Sequence, residues 1–376
     1  MSARPQSAAP TVVVCAGGGG VGKTTTSAAL ALALAREGAT TLVVTVDPAR
    51  RLADAMGVAV GPVTLPATIE PGVEGKLFAL MPEPRVSTRA FIDWLFEQDP
   101  EAHARMIANP VYQVLADALS GVHELVSTML IVRAVDERAY EYVVVDTAPS
   151  RYALDFLSYP GKLASLLEGK AVSWLGSLAQ RAQGGEPEET GGAFSWGRKR
   201  VEGALGRVLG ARFLVNMTAL FADLSRVRER FATLARRSEA LLLGDASRYV
   251  LVAAPTGAAH ADVKFLFNRL SKIERHATAV VLNRADATAP AWVGILEAEK
   301  DVPRELREAI AQLETEREAR TLAADQMARE IARTYHRLPL VRLPRLDAPK
   351  PSDVVRSLAT HLAPHLAELS GRPTPR

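Results

Sequence analysis

The run Gly17-Gly18-Gly19-Gly20-Val21-Gly22-Lys23-Thr24 satisfies the spacing G-x-x-x-x-G-K-[ST]. Glycines in such a run let consecutive backbone N–H groups turn inward around phosphate oxygens, and a following helix adds the positive end of its dipole. Lys23 is spaced to reach the β and γ phosphates of a nucleotide, and the Thr24 hydroxyl to ligate Mg²⁺. Two carboxylates stand where such a site needs them. Asp47 closes the apolar run Thr41 to Val46, and Asp146 closes Tyr142 to Val145. An acid at the carboxyl end of a strand beside a phosphate loop holds a metal-bound water or orients the attacking one. A strand-terminal Asp also caps the turn that follows it, and that plainer role stays open for each.

The elements that must position these groups are legible as a series. Val12 to Cys15 is a short apolar run bounded by glycines, the pattern of a strand buried on both faces of a parallel sheet. Thr24 to Arg36 is rich in Ala and Leu with no breaker, and Gly38 marks its end. Thr41 to Val46, Tyr142 to Val145, Tyr249 to Ala253 and Ala279 to Leu282 continue the strands. This alternation implies a doubly wound, mostly parallel α/β sheet of the P-loop NTPase type, with binding loops at the carboxyl ends of its strands. The core is expected at 11–160 and 245–350, after a flexible tail at 1–10.

Residues 161–244 read as a helical insertion and a candidate client-binding subdomain. Leu163, Leu167, Ala171, Trp174 and Leu178 fall at steps of three or four, one apolar stripe on a helix. A second amphipathic stretch from about 201 to 224 carries Leu205, Val208 and Leu209, and the polar GGEPEETGG segment at 184–192 reads as a flexible edge. Either the stripes form a groove for a hydrophobic segment, or they pack onto the core as most amphipathic helices do. Docking on an anionic membrane through Arg198-Lys199-Arg200 beside Phe194 and Trp196 is a third reading. Residues 293–334 read as charged helix, and 351–376 as a C-terminal helix and tail interrupted near Pro364.

Composition narrows the function classes. The 376 residues carry 45 Lys and Arg against 42 Asp and Glu, a net of +3, so a dedicated nucleic-acid binder is not expected. With 48% hydrophobic and 23% charged residues, wholesale disorder, coiled coil and collagen are excluded. The single cysteine, Cys15, rules out a disulfide within the chain and any zinc site of paired thiolates, and its apolar strand suits an inert buried thiol. No stretch reaches the ~18 apolar residues of a membrane span, and the run before the glycines is too short for an export signal. A soluble cytoplasmic protein is expected. His361 and His365 are four apart, but Pro364 between them breaks the helix geometry that a metal pair needs.

Taken together, GGGGVGKTTTSAALA (17–31), VTVDPARRLADAMG (44–57) and VVVDTAPSRYALDFL (143–157) resemble the ArsA-like anion-transporting and tail-anchored-protein-targeting ATPases, a branch of the deviant Walker A P-loop NTPases. The resemblance is close over 12–57 and 142–160 and weaker around Asn283 and Leu340 to Asp347. It implies Mg-ATP hydrolysis coupled to rearrangement of a homo- or heterodimer with a related ATPase, and helices after the third strand that expose a surface for a hydrophobic protein client or membrane protein. It suggests Gly19, Gly20, Val21, Gly22, Lys23, Thr24 and Thr25 for the phosphates, and Thr24, Asp47 and Asp146 for Mg²⁺. Lys23 and Asp47 take catalytic roles, and Asn283 and the proline-containing loop with Pro344 lie where the family reads adenine.

The departures from that pattern are as informative. Where the family has a lysine that reaches into the partner subunit's site, this chain has Gly18. Loss of a comparable charged finger costs roughly 10³ or more in rate. Arg50, Arg51 and Arg151 are candidate replacements, and the alternative is a weakly hydrolysing or non-hydrolysing subunit paired with a lysine-bearing paralogue. The family's DTAPTGH is Asp146-Thr-Ala-Pro-Ser-Arg-Tyr152 here, and its DPAH histidine is Arg50. With Cys15 alone, neither an arsenite site nor a Cys-x-x-Cys zinc clamp is expected. A partitioning ATPase with ATP-dependent DNA binding is disfavoured by the near-neutral charge.

Overall fold

A computed structural model describes residues 9–47, 49–113, 120–148, 154, 157, 211–286, 303–346 and 348–371. Eight strands form one sheet: β1 (Thr11–Ala16), β2 (Thr41–Thr45), β3 (Leu65–Pro66), β4 (Leu77–Leu80), β5 (Tyr142–Asp146), β6 (Ser247–Ala253), β7 (Ala279–Asp286) and β8 (Leu340–Pro344). Their order is β3-β4-β2-β5-β1-β6-β7-β8, parallel throughout except for the short β3–β4 pair. The strand residues Val12, Val13, Val14, Leu42, Val43, Val44, Val143, Val144 and Val145 are all fully buried. Continuous β-branched runs are the composition that a sheet covered on both faces demands. The fold is the α/β, P-loop NTPase-type architecture that the strand pattern implies.

β1 lies between β5 and β6, so the loop that leaves its carboxyl end sits at the middle of the sheet. That loop feeds directly into α1 (Lys23–Arg36), whose residues from Thr26 to Ala35 are all buried. A helix apolar on every side needs cover on every side. One side of α1 faces the sheet and another the helix α10 described below. It stops where Gly38 takes φ +86°, with the Ala39 N–H returned to the Leu34 carbonyl at 3.2 Å, a left-handed termination that glycine adopts without strain.

Three strands, β3, β4 and β8, were not among the runs read from sequence. β4 pairs with β2, and β8 occupies Leu340–Pro344, within the stretch read as a proline-containing loop. Pro344 is tolerated because β8 is an edge strand and the proline is its last residue.

The remaining helices are α2 (Arg51–Met56), α3 (Pro84–Leu95), α4 (Pro100–Ala108), α5 (Ser120–Glu137), α6 (Ala211–Arg226), α7 (Arg228–Leu243), α8 (Gly257–Lys272), α9 (Arg304–Thr334), α10 (Pro351–Leu362) and α11 (Leu366–Ser370). A 3₁₀ turn at Ala363–His365 separates the last two, the interruption expected at Pro364. His361 and His365 bond separately to the Ser357 carbonyl and to Glu368. No described helix is long and apolar enough to cross a membrane.

The chain divides into two compact units: Met1–Pro82, Ala134–Asp155 and Leu241–Arg376 form one, and Glu83–Arg133 with Phe156–Ala240 the other. The helical unit is therefore drawn from two stretches of chain, where sequence alone suggested a single insertion at 161–244. Its described part is closed by Phe91, Leu95, Phe96, Met106, Leu220 and Phe231, all buried. Arg105 forks onto Asp223 at 2.6 and 3.1 Å, and Arg230 lies 4.3 Å above the Trp94 ring. Leu163, Leu167, Ala171, Trp174, Leu178, Leu205, Val208, Leu209, Phe194, Trp196 and Arg198-Lys199-Arg200 lie outside the described residues.

Candidate functional site

The glycine run turns directly out of β1. Gly20 and Gly22 hold φ of +76° and +86°, conformations that residues with a Cβ adopt only under strain. A Cβ on Gly17 would meet the Val252 carbonyl oxygen of β6 at 2.3 Å, and one on Gly22 would meet the Asn283 amide at 2.2 Å. At Gly17 and Gly22 neighbouring atoms leave no room for a side chain, whereas at Gly20 only the φ favours glycine.

Beneath the loop, Lys23 and Asp146 form a buried ion pair at 3.3 Å, their side chains 4% and 0% exposed. The sheet register makes this meeting unavoidable, since Asp146 pairs with Cys15 on β1 and with Thr45 on β2. The Thr24 hydroxyl donates to the second carboxylate oxygen of Asp146 at 2.8 Å, and Thr45 donates to the same oxygen at 3.2 Å. Burial pushes the Asp146 carboxyl above its ordinary value, against the opposing pull of Lys23 and of the two hydroxyls. Hydroxyl and carboxylate oxygens converging beside a lysine are a hard-oxygen donor set of the kind magnesium takes.

Asp47 is also nearly buried, one strand away. Its Oδ1 accepts from the Ala49 N–H at 3.0 Å and its Oδ2 faces Arg51 Nη1 at 3.0 Å, while its own N–H donates to Thr45 at 3.1 Å. Thr45 thus ties the two acids together, a residue that sequence reasoning missed; the only signal was a hydroxyl two positions before Asp47. The turn-capping role is seen at Asp47 in the bond from the Ala49 N–H. Arg51 is held on that carboxylate, Arg50 is exposed, and Arg151 lies outside the described residues.

The far side of the loop is held by β7. Asn283 is 4% exposed, donates from Nδ2 to the Val21 carbonyl at 2.9 Å and accepts the Arg284 N–H on Oδ1 at 3.0 Å. Both ends of the amide are engaged by the protein. Pro344 sits in register with Asp286, the last residue of β7, so the two positions suggested for adenine lie on neighbouring strands, three residues apart in register. Thr25 is half-buried in the first turn of α1. At the loop's entrance, a Cβ on Gly18 would meet the carboxylate of Asp262, on α8, at 2.3 Å. Nothing near Asp262 in the sequence announced that contact. Among the described residues no group of three His, Cys, Asp or Glu side chains is placed to hold a metal by itself.

Cys15 is fully buried, and burial pushes its thiol up to about 12, which leaves it without a thiolate at neutral pH.

With this geometry in place, the comparisons give what the chain is similar to. The family model described as anion-transporting ATPase matches residues 10–187, from β1 through the loop and both acids. Over residues 10–187, just under half of its length, the chain is similar to that family. ATPase get3 of Schizosaccharomyces japonicus is 33% identical over 155 residues, which are 40% of this chain and 43% of that protein. ATPase GET3 of Malassezia globosa is 32% identical over 178 residues, 46% of this chain and 51% of its own length. The chain spans about half the length of the curated relatives it matches. The anion-transporting ATPase match includes Gly18 through Thr25, Asp47 and Asp146 and stops short of Asp262, Asn283 and Pro344.

Proposed function

We propose that this chain binds Mg-ATP at the β1–α1 loop and hydrolyses it. The observation that carries this is the convergence of Lys23, Thr24 and Asp146 beneath a loop in which Gly17 and Gly22 leave no room for a side chain. In this reading the backbone N–H groups of Gly19 to Thr25 surround the phosphates. Lys23 exchanges part of its attraction to Asp146 for the phosphate charge. Thr24 and Asp146 hold the metal, with Asp47 at its edge, and bound Mg²⁺ neutralises charge on the transferred phosphoryl group. Asp47 orients water once Arg51 yields its oxygen, and Asn283 and Pro344 border the base.

The wider reading follows the family likeness. Nucleotide state drives rearrangement of a homo- or heterodimer with a related ATPase in the cytoplasm, and residues 161–244 expose a hydrophobic surface for a protein client.

Steady-state ATP hydrolysis by the purified chain with Mg²⁺ tests the core of this. Turnover is expected in the wild type and lost in Lys23→Ala and Asp47→Asn. Turnover that survives Lys23→Ala would place the chemistry elsewhere. Sedimentation with and without ATP tests the dimer, which the reading expects to tighten with nucleotide.

A further inference from the structure

The outer face of the phosphate loop carries a contact that no role has yet claimed. Arg284 follows Asn283 on β7, is exposed, and donates from Nη1 to the Gly20 carbonyl at 3.3 Å. Its backbone holds φ +57°, in the left-handed region that a side chain enters only at a cost. The strand register slips here, between Leu282 and Asp286. The Asn283 carbonyl oxygen of the side chain accepts the Arg284 N–H at 3.0 Å, which offsets part of that cost and fixes the turn.

Two adjacent side chains thus hold two adjacent loop carbonyls, Asn283 the carbonyl of Val21 and Arg284 that of Gly20. In a trans peptide the C=O and the following N–H point in opposite directions. Drawing the Gly20 and Val21 carbonyls toward β7 therefore turns the N–H groups of Val21 and Gly22 away from β7. Two consecutive N–H groups on one side of a loop are what a phosphate oxygen binds.

We propose that Arg284 is a positioning residue for the nucleotide: with Asn283 it clamps the loop carbonyls outward and so presets the amides that receive phosphate. It acts through the loop and not on the base. The proposal rests on the Mg-ATP reading of the site for its ligand, but the clamp itself is a property of the chain without nucleotide.

Three measurements on wild type, Arg284→Ala and Arg284→Lys test it. Calorimetric titration with Mg-ATP and with inorganic tripolyphosphate is expected to show both weakened by about tenfold in Arg284→Ala, the loss of one charge-assisted hydrogen bond. Arg284→Lys is expected to recover most of that loss, and the melting temperature to stay unchanged because the guanidinium is exposed. In ligand-free protein, amide exchange at Val21 and Gly22 is expected to quicken in Arg284→Ala. Weakening of Mg-ATP alone, with tripolyphosphate unaffected, would place Arg284 on the base and overturn the clamp. Unchanged exchange together with unchanged binding would overturn it too. If wild type binds neither ligand while exchange still quickens in Arg284→Ala, the Mg-ATP reading falls and the clamp on the loop survives.

Discussion

The phosphate loop and the helical unit hold their residues in place by opposite means. Around the loop, the constraints are backbone atoms and buried polar groups: the Val252 carbonyl against Gly17, the Asn283 amide against Gly22, and Lys23 on Asp146 in a pair closed to solvent. In the described helical unit, an apolar interior around Phe91, Phe96 and Phe231 is flanked by arginines, the half-exposed Arg105 on Asp223 and the largely covered Arg230 on Trp94. Buried polar geometry tolerates little, because each group left unpaired costs its full desolvation. Packing flanked by partly solvated cations can adjust. One region is held by polar contacts that tolerate little displacement, the other by apolar packing that tolerates more.

The largest effect that would sharpen this contrast is at Lys23. Lys23→Ala removes the one cation that the described residues place beneath the loop, and ATP turnover is expected to fall by about 10³ or more, read as steady-state phosphate release. The same substitution leaves Asp146 buried without its cation, so a rise in sensitivity to denaturant is expected alongside.

Next come the glycines, which divide by what a Cβ would strike. Gly22→Ala combines a positive φ with a contact on Asn283 and is expected to cost about 2–3 kcal/mol in chemical denaturation, whereas Gly20→Ala, with open space around it, costs only about 1 kcal/mol from its φ. Equal costs at the two positions would break the claim that β7 sets the loop.

In the helical unit, Trp94→Ala removes the ring beneath Arg230 and is expected to lower stability by about 2 kcal/mol while leaving nucleotide affinity unchanged. Loss of affinity there would show that the two regions are not held independently.

The smallest effect is expected at Gly18. Its Cβ would meet only the end of the Asp262 side chain, which can rotate away, so Gly18→Ala is expected to cost under about 1 kcal/mol. Gly18→Lys is expected to fold and to leave turnover nearly unchanged, since the new ammonium would rest against Asp262. Gly18→Lys with Asp262→Ala is the variant in which a lysine there is released to act.

Five of the eight strands and the loop were legible because a buried parallel strand and a glycine-rich phosphate loop are both written in consecutive residues. Val12 to Cys15 and Gly17 to Thr24 need no distant partner to be recognised. Thr45, Asp262 and Arg284 were not legible in their roles, because each acts across the sheet from a segment far away in sequence and its residue type is ordinary. Leu340 to Pro344 was read as loop because the resemblance places a proline-containing loop there, and an edge strand accommodates that proline at its end. The Glu83–Arg133 part of the helical unit escaped because its helices carry apolar faces that suit a core just as well. The placement of Asn283 followed from the resemblance, while its engagement with the Val21 carbonyl is visible only in three dimensions.

The central claim is that the β1–α1 loop takes the phosphates of ATP with magnesium held by Thr24. Equilibrium titration of ATP into wild type and Thr24→Ala, each with and without Mg²⁺, tests it most directly. Tight binding that magnesium strengthens in the wild type, and no longer strengthens in Thr24→Ala, is the predicted result. Wild-type protein that binds no ATP, or a magnesium effect that Thr24→Ala retains in full, would contradict it.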